Sequence, residues 1–175
     1  MWDSSDRQLS FQAHHDQLTS LPNRHYFYEE IINIFKNKQY RHNSALIFID
    51  NNKFKIINDQ YGHLAGDAVL REMASRLMLS VRQEDFIARL GGDEFAIILH
   101  TIHHADHLQA IAESLLASCK EPLDFNGQLI HFSFSLGIAF SQFADNPDDL
   151  VMQADQAMYK AKNLNPHWFL YKPEI

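Results

Sequence analysis

The sequence predicts an α/β sandwich, with helices flanking a central, mainly antiparallel sheet. The predicted elements follow a mixed order of helix, strand, two helical segments, hairpin, helix, hairpin, helix and strand. Gly-Gly and Asn-Gly pairs between apolar runs mark the two hairpins. With 175 residues, of which 46% are hydrophobic, the chain is long enough to bury the core of one domain.

Composition and charge exclude several classes of function. The apolar runs are strand-sized and no charged, apolar-cored leader is visible, so we expect neither membrane insertion nor secretion. A single cysteine, Cys119, excludes an internal disulfide and favours a reducing, cytoplasmic compartment. The formal charge of −7 argues against a nucleic-acid polymer as partner but is compatible with a mononucleotide held through metal ions.

The first elements are helical. Residues 1–15 are mostly polar and resemble the end of a helical connector from an upstream region, so residues 16–175 form the predicted domain. Pro22 and Asn23 are positioned to start a helix. Apolar residues then recur at helical spacing and predict its core-facing side: Phe27, Ile31, Ile34 and Phe35.

A buried-type strand, Ala45–Asp50, ends in a carboxylate. The carboxylate could serve ligand chemistry at the end of a central strand, or it could only cap the next helix. Two helical segments follow, the second strongly amphipathic from Val69 onward. Within them, Asn58 could be only a polar residue at a helix end and Asp67 only an N-cap.

The second strand pair carries the strongest signal. The apolar runs Phe86–Leu90 and Phe95–Leu99 flank a Gly-Gly pair that is followed by Asp93 and Glu94. Glycine accepts the positive φ values of tight turns and lets a ligand lie on the backbone. Two carboxylates on a rigid turn favour a divalent cation, although a solvated acidic turn is the simpler interpretation.

Two charged segments flank this hairpin. Arg82 and Asp85 precede it and could form only a solvated ion pair. After it come four histidines that could bind zinc or nickel, although we favour a surface turn before the helix that begins near Leu108. These histidines are His100, His103, His104 and His107.

The last third of the chain predicts a hairpin, a strand, a helix and a short strand. Asn126-Gly127 marks the hairpin, and alternating apolar residues over 130–140 predict a half-buried strand. In the last helix, acidic residues lie in the first turn, and Lys160 and Lys162 lie in the last turn, where they complement the helix dipole. Residues 168–171 form the closing strand.

Several motifs together resemble the GGDEF domain of diguanylate cyclases. They are DQLTSLPNR from residue 16, DNNKFKIINDQYGHLAGDAVL from residue 50, ARLGGDEF from residue 88 and ADQAMYKAK from residue 154. The spacing of Arg82 and Asp85 before the Gly-Gly pair is that of the family's RxxD inhibitory site. The resemblance implies the palm-like fold of nucleotidyl cyclases. Several of the motifs are most similar in form to those of cyclase domains joined to an EAL phosphodiesterase domain.

The resemblance also implies roles for individual residues. Two Mg²⁺ ions (or Mn²⁺) are expected on Asp50, the carbonyl of Asn51, Asp93 and Glu94, with Asp93 and Glu94 as the catalytic acids. The triphosphate would meet amides near Lys53 and Phe54 and the ammonium groups of Lys55 and Lys162. Guanine would be recognised by Asn58 and Asp67, with the nucleotide lying against Gly91 and Gly92. Arg82 and Asp85 would bind the cyclic product.

The implied function is condensation of two GTP into cyclic di-GMP and two pyrophosphates across a transient homodimer. Upstream sensory and downstream EAL domains are the implied partners. The chain departs from the family pattern at Ser20, His25, Asn52 and Pro166, where the family usually has glycine, arginine, aspartate and arginine. Because Pro166 removes a phosphate donor, the alternative is a GTP-binding regulatory module without turnover. A cyclase making an adenine-containing product is a weaker alternative.

Overall fold

The structure, a computed structural model, describes residues 4–173. Six α-helices are described: α1 (Ser4–His14), α2 (Arg24–Lys36), α3 (Phe54–Tyr61), α4 (His63–Leu79), α5 (Ala105–Ser118) and α6 (Pro147–Ala161). Seven strands accompany them: β1 (Ala45–Asn51), β2 (Phe86–Gly91), β3 (Glu94–Leu99), β4 (Leu123–Phe125), β5 (Gln128–Ile130), β6 (Phe134–Phe140) and β7 (Trp168–Leu170).

Five strands form one sheet in the order β2-β3-β1-β6-β7. All neighbours are antiparallel except β6 and β7, which run parallel. The predicted fold, a mainly antiparallel sheet flanked by helices, is therefore confirmed. β4 and β5 form a separate two-stranded hairpin around Asn126-Gly127, as the sequence predicts.

The sheet is covered on both faces. In the central strand β1, Ile47 and Ile49 pack into a core with α4 and α5, whereas Leu46 and Phe48 pack against α2 and α6. Because successive side chains of a strand point to opposite faces, Asp50 follows Leu46 and Phe48 toward α6, and Asn51 faces α4. The register of β1 thus sets which helix each polar end residue meets.

The prediction of one half-buried strand over residues 130–140 is wrong in two respects. The chain leaves strand geometry at residues 131–133, so β5 and β6 are separate strands in separate sheets. All seven residues of β6 are buried. Its alternate small residues face α6: a Cβ added at Gly137 would lie 2.1 Å from the backbone nitrogen of Met158. Small residues at these positions of β6 therefore indicate close packing against α6 and not exposure to solvent.

The N-terminal region contains the predicted helices. α1 covers most of the expected connector, of which residues 1–3 lie outside the described residues. Asn23 caps α2 by accepting from the Tyr26 amide at 3.0 Å, and Phe27, Ile31 and Ile34 are fully buried, while Phe35 is half-buried. Over residues 4–173, no helix has both the length and the apolar character needed to cross a membrane.

Candidate functional site

Two acidic residues that are distant in sequence are neighbours across the sheet. Asp50, near the end of β1, is the register partner of Glu94, the first residue of β3. Asp93 precedes Glu94 in the turn between β2 and β3 and is hydrogen-bonded to the Asp50 side chain. Antiparallel pairing of β1 with β3 therefore gathers three carboxylates at one end of the sheet.

The surroundings of the Asp93 carboxyl favour its protonated form. Burial, the hydrogen bond with Asp50 and the negative charge of Asp50 raise the pKa of Asp93 from 3.8 to about 7. Lys162 balances part of this charge: its Nζ lies 2.6 Å from Asp50 Oδ2, and this contact raises the pKa of Lys162. Asp50 is buried within β1 and the residue before α3 is Lys53, so the helix-cap interpretation of Asp50 is wrong.

Glu94 has two charged neighbours, Arg24 and Asp155, for which the sequence predicts no role. Burial and the charge of Asp50 raise the pKa of the Glu94 carboxyl, and the charge of Asp155 on α6 adds to this. The positive charges of Arg24 on α2 and of Lys162 act in the opposite direction. Arg24 and Asp155 lie within the motifs DQLTSLPNR and ADQAMYKAK, but no local pattern shows that both face Glu94.

An arginine on β2 anchors the turn that carries Asp93. Arg89 donates to the carbonyl of Gly92 from Nε at 3.1 Å and from Nη2 at 2.8 Å. Its Nη1 lies 2.9 Å from Asp16 Oδ1, and both side chains are mostly buried. Gly91 and Gly92 have φ values of +133° and +53°, as expected for glycines in this turn. The turn is therefore tied to the segment before α2.

The residues expected at the triphosphate follow β1 directly. Lys53 has a left-handed backbone (φ +61°) and precedes the first turn of α3. Its carbonyl accepts from the amides of Ile56 and Ile57 at 3.0 and 3.3 Å. As at any helix start, the amides of Phe54 and Lys55 have no acceptor within the helix and can bind an anion. Both lysine side chains are exposed.

The residues expected at guanine lie at the contact between α3 and α4. A Cβ added at Gly66 would lie 1.9 Å from Asn58 Oδ1, so the glycine makes room for the Asn58 side chain. Asp67 follows Gly66 and is half-buried. The N-cap interpretation of Asp67 is wrong, because α4 begins at His63 after Gly62.

The two asparagines after Asp50 have structural contacts of their own. Asn51 is buried, and its Nδ2 lies 3.3 Å from the sulfur of Met73. Asn52 Nδ2 donates to the Ser133 hydroxyl at 3.0 Å, and Asn52 Oδ1 accepts from the Ser135 hydroxyl at 2.7 Å. Asn52, where the family usually has an acid, thus ties the end of β1 to the start of β6.

Arg82 and Asp85 lie at the other end of β2, about 20 Å from the Gly-Gly turn along the strand. The Asp85 side chain is only 1% exposed, so the interpretation as a solvated pair is wrong for the carboxylate. Asp85 Oδ2 accepts from the Arg82 backbone amide at 3.1 Å and lies 3.3 Å from Arg82 Nε. Asp85 Oδ1 is buried without a hydrogen-bond partner among the described residues.

The four histidines after β3 do not gather into a ligand set. His100 packs on the ring of Tyr40, and His104 and His107 contact each other edge-on, with centroids 5.8 Å apart. His103, His104 and His107 are exposed. Within residues 4–173, three metal-ligating side chains lie close together at a different place, the contact between α1 and α2. The expected surface turn before α5 is therefore observed.

The sheet order and the acidic turn together define a domain with the palm-like fold of nucleotidyl cyclases. The family described as "Diguanylate cyclase, GGDEF domain" matches residues 13–166, and this chain belongs to it. The family match includes the acidic turn, the α3–α4 contact and both ends of β2.

Individual relatives agree with the family. The diguanylate cyclase TpbB of Pseudomonas aeruginosa is 42% identical over 157 residues, which is 88% of this chain and 36% of that protein. A structure of the GGDEF domain of TpbB superposes with a TM-score of 0.83 at 39% identity, covering 91% of this chain and 95% of that one. The coiled coil and GGDEF domain of DgcB from Caulobacter crescentus, solved in complex with cyclic di-GMP, superposes with a TM-score of 0.82 at 26% identity. The match covers 90% of this chain and 85% of that one. The chain thus spans about a third of its curated relative.

Proposed function

We propose that this chain is a diguanylate cyclase domain that condenses two GTP into cyclic di-GMP and two pyrophosphates. The observation that carries the proposal is the meeting of Asp50, Asp93 and Glu94 at one end of the sheet, in a member of this family. A structural turn has no need of a buried carboxylate, Asp50, beside a half-buried one, Asp93.

The same residues suit a divalent metal. The negative charge of Asp50 beside Asp93 is one that a cation can neutralise, and all the donors are hard oxygen atoms of the kind Mg²⁺ prefers. We assign Asp50, the carbonyl of Asn51, Asp93 and Glu94 as ligands, with Mg²⁺ or Mn²⁺ as the metal. When bound, the metal lowers the pKa of the attacking hydroxyl and neutralises charge on the transferred phosphoryl group.

The chain's own groups then bind and orient the nucleotide. The free amides at the start of α3 and the ammonium group of Lys55 hold the phosphates. Lys162, which pairs with Asp50 in the structure, binds a phosphate oxygen instead when the nucleotide is present. Asn58 and Asp67 hydrogen-bond guanine, because adenine lacks the two hydrogens that a carboxylate would accept there. Gly91 and Gly92 leave the turn open for the nucleotide.

The reaction needs two copies of the domain. Each binds one GTP, and the 3′-oxygen of each ribose attacks the α-phosphorus of the other nucleotide, with pyrophosphate leaving. We assign Asp93 as an acceptor of the 3′-hydroxyl proton in addition to activation by the metal, because it belongs to the acid cluster and its pKa is raised to about 7. Arg82 and Asp85 form the proposed inhibitory site for the product, with a half-exposed guanidinium on a buried carboxylate.

The regulatory module remains the second candidate, since Pro166 offers no side-chain donor at the position where the family pattern usually has arginine. Pro166 is exposed just beyond α6 and contributes only a carbonyl, which accepts from Trp168 at 2.8 Å. In this case the chain would bind GTP through Asn58 and Asp67 and act on an EAL domain elsewhere in the protein. Residues 1–15 would then transmit an upstream signal to the domain of residues 16–175.

One experiment separates the two candidates. The domain is incubated at high concentration with GTP and Mg²⁺, and the nucleotides are resolved by chromatography. A cyclase forms cyclic di-GMP at a rate that rises more than linearly with enzyme, and Asp93→Ala abolishes turnover while GTP still binds. The matched control is Asp106→Asn, an exposed acid on α5. Bound but unconverted GTP, even in a dimer enforced by a fused coiled coil, overturns the cyclase in favour of the module.

A further inference from the structure

Three side chains at the contact between α1 and α2 form a group unlike the acidic site. His14 is the last residue of α1, and His25 and Glu29 lie one helical turn apart on α2. His14 Nε2 is 3.5 Å from Glu29 Oε2, and His25 Nε2 is 3.3 Å from Glu29 Oε1. One ligand atom from each residue lies within 4.8 Å of the others.

The hydrogen bond of His14 to the backbone uses Nδ1 and leaves Nε2, the nitrogen that faces Glu29, available to a metal ion. His14 Nδ1 lies 3.0 Å from the carbonyl oxygen of Ser10, and a carbonyl can only accept. In the neutral ring, Nδ1 is therefore the protonated nitrogen, and Nε2, which faces Glu29, carries the lone pair that a metal ion would take. The Tyr26 ring packs edge-on against His14, with centroids 5.5 Å apart, and helps to fix the ring. A backbone carbonyl behind the distal nitrogen is the usual support of a metal-bound imidazole.

The donor set favours a particular class of ion. Two imidazoles and one carboxylate suit Zn²⁺ and its neighbours Ni²⁺, Cu²⁺ and Co²⁺, whereas Mg²⁺ and Ca²⁺ prefer oxygen atoms alone. The ligand side chains of His14, His25 and Glu29 are 32%, 66% and 47% exposed, so an ion can enter from solvent. An open groove of about 700 Å³ beside His14 and Glu29 leaves room for water ligands.

We propose that His14, His25 and Glu29 form a binding site for a divalent transition metal such as Zn²⁺, and that the ion fastens α1 to α2. His25 stands where the family usually has arginine, so the site is a property of this chain and not of the family pattern. α1 ends at His14, and α2 begins at Arg24 and is anchored in the core by Phe27. The ion would therefore fix the direction in which α1 leaves the domain. The proposal does not depend on the cyclase reaction.

The test is a titration of the 175-residue chain with Zn²⁺ by calorimetry, in excess Mg²⁺ so that the acidic site is saturated. We expect one Zn²⁺ per chain. Removing a supporting partner of a ligand already weakens metal sites about 10- to 100-fold, so His14→Ala and His25→Ala should each weaken binding by at least tenfold. His103→Ala and His107→Ala, exposed histidines near the start of α5, are the matched controls. Absence of saturable binding, or binding that responds only to the controls, overturns the site.

A second measurement addresses the fastening of α1. Hydrogen exchange of the amides in Ser4–His14 should slow when Zn²⁺ is added to the wild type and should not change in Glu29→Gln. The absorption of bound Co²⁺ reports the coordination number independently of any change in folding. Bound metal with unchanged exchange in α1 would show that the ion does not couple the two helices, and the fastening role would be wrong.

Discussion

Lys162 at the end of α6 and Asp50 at the end of β1 form an ion pair of 2.6 Å, although they are far apart in sequence. The pair places one positive charge among Asp50, Asp93 and Glu94, so it stabilises the acids while no nucleotide is bound. In the proposed reaction, the same ammonium would bind phosphate once metal ions neutralise Asp50.

Replacing Lys162 should weaken the use of GTP. Lys162→Met keeps the length of the stem but removes the charge, and a hydrogen bond to a charged group contributes about 1.5–3 kcal/mol. We expect kcat/KM for GTP to fall about 10- to 100-fold, measured by steady-state formation of cyclic di-GMP. Lys160→Met is the matched control, because the Lys160 ammonium lies over the Phe169 ring at 5.2 Å. Equal losses in both variants would argue against a direct role for Lys162.

The raised pKa of Asp93 predicts how stability depends on pH in the metal-free chain. Between pH 3.8 and about 7, the native protein holds a proton on Asp93 that the unfolded chain has released. The contribution of Asp93 to stability is therefore greatest below pH 4 and declines as the pH rises to about 7. Asp93→Asn removes this decline, so the variant should gain stability relative to wild type over that range.

Urea unfolding with a chelator present, at several pH values between about 4 and 7, measures this difference. Comparing the two proteins cancels the titration of the histidines, which they share. Parallel stability curves would mean that Asp93 is not protonated in the native state. Added Mg²⁺ should narrow the difference in stability between the two proteins, because the cation would stabilise the ionised Asp93 carboxylate of the wild type.

Much of the fold and site could be predicted because the signals are local. The Gly-Gly turn, the Asn-Gly turn and the capped start of α2 each depend on a few adjacent residues. The contacts that were missed join distant segments: Arg89 with Asp16, and Arg24 and Asp155 with Glu94. Periodicity also misled at β6, where small residues indicate close helix packing and are buried as fully as the apolar ones. Sequence patterns therefore predict the helix or strand to which a residue belongs better than they predict which distant residue it contacts.

Gly66 should control recognition of the base through Asn58. A methyl group at Gly66 would overlap Asn58 Oδ1, so Gly66→Ala must displace the amide. We expect a loss of stability of about 1–3 kcal/mol, typical of overpacking, together with weaker binding of GTP. ATP binding should change little, so preference for GTP over ATP, measured by calorimetry with both nucleotides, should decrease.

The double variant Asn58→Ala/Gly66→Ala separates packing from recognition. Removing the Asn58 amide relieves the overlap, so stability should return toward the wild-type value. Weak GTP binding should persist, because the hydrogen-bonding group is gone. If affinity for GTP recovers together with stability, Asn58 contributes to packing alone and the assignment to guanine is wrong.

The proposed product site predicts that inhibition and catalysis can be separated at Arg82. Its guanidinium is half-exposed and pairs with the buried Asp85 carboxylate, so Arg82→Ala removes the group that we propose binds the phosphate of the product. We expect the concentration of cyclic di-GMP that gives half inhibition to rise about tenfold or more, which corresponds to about 1.4 kcal/mol of lost binding. The initial rate without product should stay unchanged, since Arg82 lies at the opposite end of β2 from Asp93. Gln83→Ala, an exposed neighbour, is the control, and inhibition that is equally strong in Arg82→Ala would remove the assignment of this site.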